Sequence, residues 1–394
     1  MKKILTVEKL VHGGKGICRT DEGVIFVDMV APGDTIEIET DAIQKIQKTM
    51  HATAISIHTP SAMRRKAQCP YFGICGGCDW LYLTYESQIA IKKQIISETL
   101  TRLGKIKEIP DIETFTSPEF SYRRRVQFKI DSRKKKAGFF KKKSSDIVDI
   151  NTCPLLCDPI NTFLGKIREN LGTIKPHIDE VKAIAGNDAN GAYSTVASYP
   201  CFADASTANT EICCEGLVFP VLGNGFFQGN RFCTPQLGAW AAAHCKGDMF
   251  LDLYGGSGFF SVFLAKNFKK GLLVESIPSH TNMAEKTFVK NGITSVQIKN
   301  AQAMTVLNHV ATEKTSIDWC VVDPPRTGLE KGMCAALHAA NCRTILYVSC
   351  DVATQARDAG ILINQMGYRL EKTAFFDMYP QTHHMETVMI LSRP

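Results

Sequence analysis

The chain has 394 residues, too many for one small domain and, at roughly 150 residues per domain, enough for two or three. Its formal net charge of +7 is unevenly spread, with Arg123–Arg125, Arg133–Lys136 and Lys141–Lys143 crowded into one stretch, which points to a polyanionic partner. Lys2 and Lys3 are followed by Glu8 and Lys9 rather than by the apolar core of a signal peptide, and no run is apolar enough to span a bilayer. The expected setting is the cytoplasm, with no membrane partner, where the fifteen cysteines are reduced thiols, metal ligands or catalysts rather than a disulfide framework.

Residues 1–58 alternate short β-rich runs with turns: Val24–Asp28, then Ala31-Pro32-Gly33-Asp34, then Thr35–Glu39 and Ala52–His58. This punctuation predicts a small β-barrel. With Gly13-Gly14-Lys15-Gly16 ahead of it, the segment resembles the TRAM domain, an OB-like module that binds RNA; an unrelated small barrel satisfies the same pattern.

Residues 59–225 read as a central α+β domain. Cys69-Pro-Tyr-Phe-Gly-Ile-Cys75-Gly-Gly-Cys78 puts five and then two residues between cysteines, and the paired glycines let backbone wrap an inorganic centre. Three thiols call for a fourth, and Cys153, followed by Pro154, has the context of a cluster ligand. Four thiolates also make a closed zinc site, but glycine-rich wrapping with a remote fourth ligand favours a [4Fe–4S] cluster. From Thr84 to Leu103 the apolar Tyr85, Ile89, Ile96, Leu100 and Leu103 share one helical face and Gly104 is a stop; this is expected to be a scaffold helix, packed on the catalytic domain. Between Phe120 and Ile150, strands mix with the basic clusters and with Phe139-Phe140. That suits a nucleic-acid surface, or equally a solvated hairpin whose phenylalanines are core. Residues 160–215 carry no strong pattern.

From Met249 the pattern becomes strand, glycine loop, helix, strand: Phe250–Tyr254, Gly255-Gly256-Ser257-Gly258, then Leu272–Glu275. A carboxylate ending the second strand is placed to accept hydrogen bonds from ribose hydroxyls. Ser261 stands where a dinucleotide fingerprint has its third glycine, so a single nucleoside such as S-adenosylmethionine fits better than NAD. The strand Ile317–Val322 runs into Asp323-Pro324-Pro325-Arg326, a rigid extended lip that can hold a flat base. Arg343–Val348 reads as a buried strand and Val352–Met366 as a helix, which leaves Cys350 at a strand's carboxyl end, where ligands gather in α/β folds. Alone, Cys350 reads as a structural thiol and Glu386, before the strand Thr387–Leu391, as a solvated carboxylate. Together, the loop, the lip and this late carboxylate supply what a nucleophilic cysteine working on a nucleobase needs.

These segments, with Phe227-Gln228-Gly229-Asn230, make the chain resemble the RNA uracil-5 methyltransferase family over essentially its whole length, and within it the iron–sulfur branch acting on 23S ribosomal RNA. The resemblance implies a Rossmann-like S-adenosylmethionine-dependent methyltransferase domain over 226–394, working as a monomer on RNA. It assigns cofactor contacts to Gln228, Tyr254, Glu275, Asn300 and Asp323, the nucleophile to Cys350, the base to Glu386, and a [4Fe–4S] cluster to Cys69, Cys75, Cys78 and Cys153. Three positions depart from the family's pattern. Gly255 replaces a usual cysteine, Phe259 a usual asparagine and Val352 a usual proline, and Phe259 leaves one polar cofactor contact unaccounted for. The alternatives are a tRNA uracil-5 enzyme, an exocyclic-amine methyltransferase, for which Cys350 and Glu386 would be dispensable, and a non-catalytic RNA-binding protein with structural zinc.

Overall fold

The computed structural model describes residues 1–201 and 207–393; residues 202–206 and Pro394, which fall in the central and C-terminal stretches, lie outside the described residues. The strands of the described residues form three sheets. In the first, seven strands from residues 2–59 pair in the order Lys2–Thr6, Thr35–Glu39, Thr49–Thr59, Gly23–Asp28, Gly16–Thr20 and Lys9–Leu10, with Gln44–Ile46 joined to the long Thr49–Thr59. Period-2 alternation buries Ile36 and Ile38 from one strand and Ile25 and Val27 from another, and these close a separate apolar core with Leu5, Val7, Cys18 and Val30.

The second sheet also has seven strands, between Arg125 and Leu222. It is backed by the helix Asp158–Glu169, which has proline in its first turn and buries Ile160, Phe163, Leu164 and Ile167. Here Phe139 and Phe140 part company: Phe139 packs at 5.7 Å from Phe128, whereas Phe140 is 40% exposed with Lys129 over its ring.

The third sheet runs Val296–Asn300, Phe268–Glu275, Gly247–Leu253, Ile317–Val322, Cys342–Ser349, Glu386–Ser392, Arg369–Phe376 and Ile112–Phe115. Helices cover both faces, so its strands are near-continuous apolar runs, with Phe250, Leu251, Val321, Val322 and Ile345 fully shielded. The first five of these strands are parallel to one another, and Glu386–Ser392 runs against Cys342–Ser349 with Thr387 opposite Ser349. That reversal brings the start of the last strand to the edge where the others end.

Residues 85–115 precede the second sheet in sequence yet pack with the third. Ile112–Phe115 is its edge strand, with Phe115 stacked on Phe376 at 4.5 Å. The helix Tyr85–Arg102, capped by Thr84, lies along the helix Val352–Met366, and Gly104 and Gly360 permit the approach: a Cβ on Gly360 would sit 2.4 Å from the Gly104 carbonyl. Of the apolar stripe expected, Ile96 and Leu100 are buried and Leu103 is 58% exposed. Gln88 and Lys92 are fully enclosed as well, where they meet the loop that follows Arg369–Phe376. Among the described residues, no helix is long and apolar enough to cross a membrane.

Candidate active site

The chain leaves the strand Gly247–Leu253 through Tyr254 and Gly258, both left-handed at φ +61° and +88°, into the short helix Phe259–Leu264. A Cβ at Gly255 would lie 2.6 Å from Leu273 Cγ, so Leu273 leaves no room here for the cysteine of the family pattern. Ser261 has a job of its own: its backbone N–H and hydroxyl donate to Asp252 Oδ2 at 3.0 and 2.7 Å and pin the loop to the strand. Phe259 belongs to an aromatic cluster, with the rings of Phe219, Phe227, Phe260 and Phe263 between 5.1 and 6.0 Å away. At this position the loop contributes packing instead of a polar contact.

The loop opens onto a cavity of about 810 Å³ at the carboxyl ends of the parallel strands. Gln228, Tyr254, Glu275, Asp323, Cys350 and Glu386 line it together, from segments spread over 158 positions of chain (386 − 228). Asn300 does not line it; it is exposed, and its amide donates to the Glu275 carbonyl at 2.9 Å, so it supports the carboxylate-bearing residue from outside. Glu275 Oε2 accepts from Gly256 N at 3.1 Å and Oε1 from Ile277 N at 2.8 Å, which fixes the carboxylate against the loop. Asp351 caps the helix Val352–Met366 by accepting from Ala353 N and Thr354 N, which sets the turn that presents Cys350.

The electrostatics are those of a buried site crowded with acids. Burial, and secondarily the charge of Asp252, push the Asp323 carboxyl up to about 7. Burial and then Asp323 push Glu386 well above the ordinary carboxyl range, and Glu386 is only 3% exposed rather than solvated. Burial and then Glu386 push the Cys350 thiol up to about 11. Arg326, from the lip after Ile317–Val322, opposes both shifts and hydrogen-bonds the thiol. Its role went unread in the sequence, although it closes the Asp-Pro-Pro-Arg motif. Burial thus works against the charged forms of Cys350 and Glu386, and Arg326 works in their favour.

A second cavity, of about 530 Å³, is lined by Cys69, Cys75, Cys78 and Cys153, with Gly76 and Gly77 between them; Arg123 lines both cavities. The cysteines lie within electrostatic reach of one another: burial first, then Cys153, Cys75 and Cys69, raise the Cys78 thiol, and burial pushes Cys153 up to about 11. Among the described residues, no three histidine, cysteine or acidic side chains are gathered closely enough to hold a single metal ion.

A glycine loop after the first strand, a carboxylate ending the second and an eight-stranded sheet whose last strand runs in reverse define an α/β methyltransferase. Residues 208–394 match the family described as tRNA (Uracil-5-)-methyltransferase. An RNA methyltransferase of Aquifex aeolicus is 32% identical across 98% of this chain and 97% of its own. The 23S rRNA (uracil(1939)-C(5))-methyltransferase RlmD of Thiobacillus denitrificans is 29% identical across the whole of both chains. In fold, the chain is similar to the tRNA (uracil-54, C5)-methyltransferase of Pyrococcus abyssi, solved with S-adenosyl-L-homocysteine, at a TM-score of 0.73 and 22% identity over 99% of this chain and 100% of that one. The chain belongs to the RNA uracil-5 methyltransferase family, and it is an RNA uracil-5 methyltransferase.

Proposed function

We propose that this enzyme methylates carbon 5 of a uridine in 23S ribosomal RNA, in the cytoplasm, through a covalent bond between Cys350 and the base. The observation that carries the reading is the meeting of Cys350 and Glu386, from neighbouring strands that run in opposite directions, in the cavity that Glu275 and Asp323 also line.

Carbon 5 of uracil is a poor nucleophile, and adding a thiolate to carbon 6 makes it enolate-like. Cys350 Sγ forms that bond. A thiol at about 11 costs on the order of 5 kcal/mol to ionise at neutral pH, and the Arg326 guanidinium lowers that cost. S-adenosylmethionine, when bound, supplies the electrophilic methyl group and a positive charge where the carboxyls crowd. Glu275 is set to accept from ribose hydroxyls, and Gln228, Tyr254 and Asp323 wall the pocket. After methyl transfer Glu386 takes the carbon 5 proton; the electrons of that C–H bond form the carbon 5–carbon 6 double bond and the Cys350–carbon 6 bond breaks. An amine-directed methyltransferase needs neither Cys350 nor Glu386.

The ribosomal substrate is supported by whole-length relatives named for 23S rRNA. Architecture alone does not choose, because the Pyrococcus abyssi tRNA enzyme shares this fold from end to end. We assign RNA contacts to the first sheet, as a TRAM-like module over residues 1–58, and to the basic stretch of the central domain over 59–225, ahead of the catalytic domain over 226–394. Cys69, Cys75, Cys78 and Cys153 would hold a [4Fe–4S] cluster. A zinc ion with bonds of about 2.3 Å needs all four sulfurs drawn tightly together, whereas a cluster takes each thiolate on a separate iron and suits thiols spread around a cavity. The test is tritiated methyl transfer to protein-free 23S RNA against total tRNA at equal uridine concentration. Label in 23S RNA as 5-methyluridine is expected; label mainly in tRNA would overturn the substrate and leave the carbon 5 chemistry standing.

A further inference from the structure

The loop between Arg369–Phe376 and Glu386–Ser392 carries Tyr379 into the cleft and delivers Glu386 at its end, and it is held from outside the sheet. At its entrance Lys92 Nζ donates to Asp377 Oδ1 at 2.6 Å, both side chains wholly enclosed, and to the Tyr379 carbonyl at 3.2 Å. At its centre stands Gln381, fully buried and left-handed at φ +69°, a conformation that side chains other than glycine rarely adopt. Its carbonyl accepts from the N–H groups of Asp79 and Trp80, both at 3.0 Å. Its N–H donates to Gln88 Oε1 at 2.9 Å. Its side-chain Oε1 accepts from Gln88 Nε2 at 2.8 Å and Arg65 at 2.9 Å, and its Nε2 donates to Glu119 at 3.0 Å.

We infer that Gln381 is a positioning residue for the base: it clamps the Glu386 loop to the segment that follows Cys78 and to the helix Tyr85–Arg102, so that losing the clamp slows release of the RNA adduct more than its formation. The inference rests on the assignment of Glu386 above. Apolar side chains would fill a buried loop as well; a polar residue with both backbone groups and both side-chain atoms engaged, in a disfavoured conformation, specifies where the loop sits. The two strands pair, but the clamp reaches the two reacting groups unequally. Cys350 follows the strand Cys342–Ser349 and its Asp351 cap, whereas Gln381 bonds to Arg65, Asp79, Trp80, Gln88 and Glu119 and Glu386 is only a few residues downstream of it. The cysteine-bearing segment is thereby tied to the base, since Asp79 also receives His383 at 2.7 Å.

The experiment uses the full-length enzyme in single turnover with uridine-containing RNA, reading the denaturant-resistant protein–RNA adduct against methylated product. Gln381→Asn keeps the tolerance for left-handed backbone but is too short to reach its partners; Gln381→Gly keeps the backbone bonds, removes the side chain and relieves the strain, and it decides the matter if the asparagine variant is insoluble. The ratio of adduct to product is expected to rise about tenfold, with KM for S-adenosylmethionine within about twofold of the parent. A purely structural role predicts a lower melting temperature and a smaller active fraction with the ratio unchanged, and that result would overturn the inference. Glu386→Gln is run in parallel. If it accumulates adduct and the Gln381 variants do not, the clamp alone is refuted; if it accumulates none, the base assignment falls and the clamp falls with it.

Discussion

The cleft and the cysteine cavity are neighbours with Arg123 on the wall of each, and they are built on opposite principles. In the cleft, the reacting groups follow strands of one sheet, so hydrogen-bond register sets their spacing whether or not anything is bound. In the cysteine cavity, the thiols come from loops around residues 69–78 and from the turn before Asp158–Glu169, with no shared element to draw them together. The difference separates a site preorganised for chemistry from one whose geometry would be completed by the cluster proposed for it.

The largest effect that would break this comparison is expected at the nucleophile. Cys350→Ala should abolish both methylation and the denaturant-resistant adduct with 5-fluorouridine RNA, while the protein still binds S-adenosylmethionine in calorimetry; a surviving adduct removes Cys350 from the mechanism. Next, Glu386→Gln should lower turnover by about 10²–10⁴-fold, the ordinary contribution of a general base, with adduct accumulating on ordinary uridine. Normal turnover would move the base elsewhere.

The scaffold between the two sites is tested by Lys92→Met. It leaves Asp377 buried without its partner, and breaking such a pair costs about 3–5 kcal/mol, to be read as a lower denaturation midpoint at unchanged slope. A smaller effect follows from charge. With the Cys350 thiol raised to about 11 by burial and by Glu386, its thiolate population in the free enzyme climbs about tenfold per pH unit and continues past pH 9, where an ordinary thiol levels off. Alkylation of the Cys350 peptide, followed by mass spectrometry, should therefore keep rising above about pH 9. A plateau near the ordinary thiol value would show that Arg326 outweighs burial. The smallest expected effect sharpens the contrast between the cavities: Cys153→Ser should strip iron from anaerobically purified protein and bleach its brown colour, yet change S-adenosylmethionine affinity less than about threefold. Stoichiometric zinc without iron in the parent protein would replace the cluster with a single ion.

Much of the catalytic half could be read from local pattern. The glycine loop, the carboxylate ending Phe268–Glu275, the proline lip and the helix Val352–Met366 all fall where the sequence predicts them, since hydrophobic period, turn residues and caps act over a few positions. The strands Thr35–Glu39 and Gly23–Asp28 were legible for the same reason. Residues 160–215 were not, because strands there pair across long connections, as Glu180–Asn187 does with Arg125–Asp131.

The sequence by itself therefore determined which chemistry the chain carries, because the residue types of that chemistry stand in short motifs whose local conformation is strongly specified. Tertiary structure decided which of them meet and which do not. Glu386 is buried beside Cys350 only because its strand enters the sheet in reverse, and Asn300 turns out of the cleft to hold the Glu275 carbonyl. Lys92 and Gln88 occupy the inner face of a helix that an apolar stripe would have assigned elsewhere, because their partners, Asp377 and Gln381, lie 285 and 293 positions away. A buried polar contact is specified by both of its ends, and no local window of sequence contains two ends so far apart.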